Sequence, residues 1–201
     1  MKKKVSWICV IGLIFLLSAC VNKEEKQDVL DFSFANYFGY SLSDYCKETN
    51  NLLEIFEEVL EGTGFYTSTN FATFDEVEYT PFLLLDNKGD FIYGGGYQAI
   101  ISSSDETVWS HVEKVKQFLM TEYGEPSTYE GLDNLLSKMT SFSDIKAYGN
   151  ALERWTIERE DTLEVSSYED SVLTEEMELL VSYSGENVVI KVTQRIYILP
   201  Q

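Results

Sequence analysis

Three kinds of residue in this chain could do chemistry: one cysteine in marked surroundings, a surplus of carboxylates, and a single histidine. Cys20 follows Leu17-Ser18-Ala19, after an apolar run from Val5 to Leu17 that Lys2, Lys3 and Lys4 precede. Its thiolate form would be a strong nucleophile. Asp and Glu number 34 against 15 Lys and Arg, and carboxylate pairs such as those in Glu158-Arg159-Glu160-Asp161 are what glycoside hydrolysis uses. With so many acids, such pairs arise by chance. His111 lies beside an apolar stripe and is read as a surface or rim residue. One histidine cannot build a histidine-based metal cluster, and no serine or cysteine is tied to it by motif. Asp86, Asn87 and Asp90 are spaced as a turn and not as a calcium loop. Gly94-x-Gly96-x-x-Ala99 formally matches a dinucleotide fingerprint, but the glycines sit inside a strand, where a β-bulge or a close backbone approach explains them better. Gly-x-Ser-x-Gly, Ser-x-x-Lys, His-Glu-x-x-His and a lysine-bearing phosphate loop are all absent. No catalytic residue, metal ligand or cofactor is assigned.

The stretch from Lys2 to Cys20 resembles a bacterial lipoprotein signal peptide, with Leu17-Ser18-Ala19-Cys20 as its lipobox. The apolar run is about a dozen residues, short of the roughly 20 that a spanning helix needs. The resemblance implies cleavage between Ala19 and Cys20. It also implies a thioether from Cys20 to diacylglycerol, whose two chains would hold the protein on the extracytoplasmic side of a cell membrane. Cys9 would leave with the signal. Cys46 would then be the only free thiol, without a partner for a disulfide and expected to be buried in a helix.

Residues 20–201 would carry 12 basic and 34 acidic side chains, a net charge of −22. Nucleic-acid binding is excluded, because phosphate contacts need basic patches. The acidity reads first as solubility, and second as affinity for basic partners or divalent cations. Residues 20–31 read as a tether of at most roughly 35 Å after the lipidated cysteine. Phe32-Ser-Phe-Ala-Asn-Tyr-Phe-Gly-Tyr40 is dense in aromatics and reads as a strap closing over a core, in preference to an aromatic binding platform.

Residues 32–201 read as one α+β domain, a two-layer sandwich of antiparallel sheet covered by two main helices. Halves at 41–102 and 103–201 could each run helix then strands. The first helix is expected from Ser43, as N-cap, to Glu61, ended by Gly62 and Gly64. The second runs from Asp105 to Tyr123, with Ser103 and Glu106 at capping-box spacing. Its apolar stripe is Val108, Val112, Val115, Leu119 and Tyr123, and Gly124 and Pro126 stop it. Pro81–Asp86 and Phe91–Ile101 form a hairpin. A short third helix is expected over Leu132–Met139, then loop to about Asn150. Four strands follow, at Ala151–Glu158, Thr162–Tyr168, Met177–Tyr183 and Val188–Ile198. The passage from helix through Tyr123-Gly-Glu-Pro126 to strands with a Trp loosely resembles the BamE-like envelope lipoproteins, though the stretch from Pro126 to Asn150 is long for that pattern. The function these features imply is a membrane-anchored envelope lipoprotein, a non-catalytic module binding an envelope protein, peptide or glycan. The alternatives are a carboxylate-dependent hydrolase of cell-wall material and a structural spacer.

Overall fold

A computed structural model describes residues 30–51, 55–86, 91–104, 106–129, 131–157 and 172–199. The fold is α+β. The helices are α1 (Leu42–Glu48), α2 (Val108–Tyr123) and α3 (Phe142–Tyr148). The strands are β1 (Phe56–Glu58), β2 (Phe65–Ser68), β3 (Ala72–Phe74), β4 (Val77–Leu85), β5 (Ile92–Ser102), β6 (Asn150–Ile157), β7 (Val172–Tyr183) and β8 (Asn187–Leu199). They form one sheet in the order β1-β2-β4-β5-β8-β7-β6, with β3 paired to β4 and every pairing antiparallel. Its long-range seam is β5 against β8, from Gly94 opposite Arg195 to Ser102 opposite Asn187.

Register sets the two faces. Glu153, Leu179, Val192 and Tyr97 lie in one row across β6, β7, β8 and β5, and all four are buried. This face shares one core with Val108, Val112, Val115 and Leu119 of α2, the stripe that the i, i+4 spacing marks. The opposite face carries Leu152, Leu180, Lys191, Gln98 and Thr80 in one row. The outer edge of β6 is closed by main chain: Leu152 N–H donates to Asn134 and Ser127 N–H donates to Arg154. That cover removes an aggregation-prone strand edge.

The strap is bound over the core. Phe34, Ala35 and Phe38 are buried, and Phe32 packs edge-on against Tyr97 at 5.3 Å and Tyr123 at 6.5 Å. The β5 glycines make room for this. A methyl at Gly95 would sit 2.8 Å from the Phe34 ring, and one at Gly96 would sit 1.9 Å from the Val192 carbonyl. Pairing slips beside them, from Leu84 opposite Gly94 to Leu85 opposite Ile92, so a bulge and close approaches both occur here.

Several elements differ from expectation. The first helix spans Leu42–Glu48 and does not run on to Glu61; its N-cap is Ser41, whose Oγ accepts from Asp44 N–H, and not Ser43. Asn50 takes a left-handed conformation (φ 56°), which ends the helical path, and Phe56–Glu58 pairs with β2 as an edge strand. Gly62 and Gly64 therefore serve the β1–β2 connection, where Leu85 N–H donates to the Gly64 carbonyl. The Ser103–Glu106 box does not form: α2 starts after Thr107, and Ser103 Oγ donates to the Gly185 carbonyl, tying this corner to the β7–β8 turn. The third helix shrinks to one 3₁₀ turn at Leu136–Lys138, and α3 stands where loop was expected, capped by a Ser141–Asp144 box and closed by left-handed Gly149. The strand expected at 162–168 lies outside the described residues.

Candidate binding cleft and buried histidine network

The strap, α1 and the β1–β2 edge enclose a cleft of about 260 Å³ on the core side of β4 and β5. Tyr45 and Phe56 supply aromatic wall, Thr49, Asn51, Ser68 and Asn70 supply hydroxyls and amides, and Asp31 is the one charged side chain among its described lining residues. Local sequence explains each placement. Tyr45 sits on the inward side of the capped α1 helix. The left-handed Asn50 turns the chain so that Asn51 faces back, its amide donating to Thr49 Oγ1 at 2.7 Å. Ser68 Oγ accepts from Asn70 N–H as β2 ends. Asp31 is fixed at the strap's start: Tyr97 O–H donates to its carbonyl at 2.5 Å, and its carboxylate accepts from Ser33 N–H at 2.8 Å and Ser33 Oγ at 3.1 Å.

The aromatic wall is ordered. Tyr45 meets Tyr37 at 5.2 Å and 80°, and Phe56 at 6.0 Å and 71°, so neighbouring rings stand nearly perpendicular. Burial, with the nearby Cys46, Tyr37 and Asp31, pushes the Tyr45 phenol up to about 12. It stays neutral across the physiological range. Retaining and inverting glycosidases both need two carboxylates flanking the bond; among the described lining residues this cleft offers Asp31.

A second polar cluster lies where α2 meets the β3–β4 hairpin. His111 is 3 % exposed and not a rim residue. It falls on the same side of α2 as Val108, Val112 and Val115, and polar partners satisfy it there. Its Nε2 lies 2.8 Å from the buried Tyr79 hydroxyl and its Nδ1 3.2 Å from Asp75 Oδ2. Lys114 Nζ donates to both Asp75 oxygens, at 2.7 and 2.8 Å. The carboxylate requires a donor at Nδ1, and in that tautomer of a neutral His111 the Tyr79 hydroxyl donates to Nε2. Bonds from Lys114, then His111, hold the Asp75 carboxyl below its usual range, while burial pushes the Tyr79 phenol upward. Asp75 and Glu76, with φ of 49° and 66°, are the central pair of the hairpin turn, a type I′ geometry. With Tyr79 and His111 buried, the cluster fastens the hairpin to α2, while its Asp75–Lys114 end reaches solvent.

The remaining candidates divide clearly. Cys46 is buried in α1. Ala19, Cys20 and Glu158-Arg159-Glu160-Asp161 lie outside the described residues, as do Asn87 and Asp90. Among the described residues, no group of three or more His, Cys, Asp or Glu could hold a metal ion, and no helix is long and apolar enough to cross a membrane. The cleft itself was not read from sequence; the aromatic density at 32–40 and the Asn50-Asn51 pair were its only local signals. Compared with known proteins, the chain matches no family model, no curated protein and no solved structure.

Proposed function

We propose that this chain is a lipid-anchored, extracytoplasmic binding module, held through Cys20 and taking its ligand in the cleft under the aromatic strap. The cleft carries this reading. It combines ordered rings with neutral donors and acceptors, the composition of a recognition site, and among its described lining residues Asp31 has no second carboxylate to make a hydrolytic pair. At about 260 Å³ it suits a small molecule or one group of a larger one. The signal-like sequence before Cys20 supports the anchor.

Two measurements test the proposal in intact cells. Cys20→Ala is expected to release the protein from the membrane fraction; retention there sinks the anchor. A photo-crosslinking residue at Asn70, beside the cleft, is expected to give a defined adduct that the same residue at Gln98, on the far face of the sheet, does not. Equal labelling at both positions sinks the cleft as the binding site.

A further inference from the structure

The cleft's electrostatics narrow its ligand. Among the described lining residues Asp31 is the one charged side chain, and none is basic. The surrounding body is strongly acidic: the whole chain has a formal charge of −19, and residues 20–201 carry 12 basic against 34 acidic side chains. Such a field concentrates cations and repels anions. The walls favour the same sign. Tyr45 and Phe56 both line the cleft and meet at 6.0 Å and 71°, so two rings border it at different orientations. A cation gains from each face it touches, and aromatic cages of this kind bind quaternary ammonium groups. A primary ammonium is compact and strongly hydrated and would give up more water on entry. The neutral amides and hydroxyls of Asn51, Ser68 and Asn70 are suited to a hydroxyl or carbonyl on an adjoining arm.

We infer that the cleft binds a small organic cation of the choline type, its quaternary ammonium against Tyr45 and Phe56 with Asp31 as the counter-charge, and its neutral polar arm toward Asn51, Ser68 and Asn70. This rests on the reading of the cleft as a ligand seat and adds the ligand's class. The charge and the ring geometry support it independently of any residue before Leu30.

The test is calorimetric titration of the detergent-solubilised full chain with choline. A parallel titration uses its neutral isostere, in which carbon replaces the ammonium nitrogen. The two have the same shape, so packing alone binds them equally. Choline is expected to bind roughly tenfold or more tightly than the isostere, and adding salt is expected to weaken choline only. Tyr45→Phe keeps the ring face and is expected to keep most of the preference. Phe56→Leu and Asp31→Asn are each expected to weaken choline by roughly three- to tenfold, with circular dichroism unchanged. Should a variant fail to fold, the wild-type comparison decides alone. Equal affinity for choline and isostere overturns the inference, and so does absence of choline binding at tens of millimolar. If a neutral oligosaccharide then shifts cleft resonances, only the ligand class has failed. If neither probe does, the cleft reading falls with it.

Discussion

Tyr79→Phe removes one oxygen from a buried polar contact and leaves the ring in place. No cavity forms, so the cost isolates the hydrogen bond. In the native protein the Tyr79 hydroxyl lies 2.8 Å from His111 Nε2, with Tyr79 0 % and His111 3 % exposed, and with Nδ1 protonated toward Asp75 a neutral ring takes that hydroxyl as its donor. Without it, Nε2 loses this buried partner. His111 cannot readily switch tautomer, because Asp75 at 3.2 Å holds the proton on Nδ1. An orphaned buried polar group costs about 1–3 kcal/mol. With a urea slope near ~2 kcal/mol/M, the unfolding midpoint falls by about 0.5–1.5 M. His111→Leu orphans the Tyr79 hydroxyl in turn and loosens Asp75. The double variant removes both partners and is expected to cost less than the sum of the singles, with a coupling of about 1–2 kcal/mol. Urea unfolding followed by tryptophan fluorescence reads all four proteins. A Tyr79→Phe shift below about 0.2 M, or a coupling near zero, refutes the assignment of this network as the fastening between α2 and the hairpin.

Asp75→Asn tests the same network through pH. The folded carboxyl lies below its unfolded value, so its stabilisation is complete above about pH 4 and is lost as pH falls through the folded value. The gap in urea midpoint between wild type and Asp75→Asn is expected at pH 6 and to shrink toward zero in acid; a constant gap rejects the mechanism. Gly95→Ala drives a methyl into Phe34 and is expected to cost about 1–3 kcal/mol, with faster amide exchange along the strap. Gly96→Ala strikes the Val192 backbone and is expected to cost more; equal midpoints for the two would show that the β5–β8 seam yields easily. Glu153 is 1 % exposed, with its Oε2 3.5 Å from Lys116 Nζ. Lys116→Met, which strands that buried carboxylate, is expected to cost about 3–5 kcal/mol, while Glu153→Met is expected to be near neutral. Thermal unfolding of the pair checks this, and the reverse ranking rejects it.

Regular alternation and helical stripes made much of the sheet and α2 legible. Val188, Ile190 and Val192 alternate because one face of β8 is buried, and Val108, Val112, Val115 and Leu119 recur because one face of α2 is. The stretch after Glu48 was misread because its acids and apolar residues suit a helix, while pairing of Phe56–Glu58 with Tyr66–Ser68 overrides that local preference. The Asn50-Asn51 turn pair was the contrary signal. α3 was missed because a seven-residue helix burying only Ile145 shows little periodicity, although Ser141, Asp144 and Gly149 mark its ends. His111 was misplaced because its partners Tyr79 and Asp75 lie 32 and 36 residues away, and nothing local announces that a polar side chain on an apolar face will be satisfied. The cleft has the same non-local origin, since its lining joins the strap, α1 and four strands.

The cleft's place along the chain bears on what it could meet. Asp31, the last residue of the expected tether, and Ser33 line it, and Asp31 is part of the fold, bound through its carbonyl to Tyr97. Asp31 lies eleven positions after Cys20, so an anchored domain would keep this wall within roughly 35–40 Å of the lipid. Fixing of Asp31 by Tyr97, and seating of Phe34 on Gly95, transfer that limit from the tether to the rigid sheet. In the proposed arrangement residues 20–201, at −22, would be repelled by anionic headgroups over about 8 Å at physiological salt. Anchor and charge would then act in opposite directions on one short span. The lipid would hold the cleft close to the membrane, and the carboxylates would hold the body off its surface. An organic cation carried on or near that surface is drawn by the same field that repels the headgroups' phosphates, so the proposed site would stand where its ligand class is most concentrated.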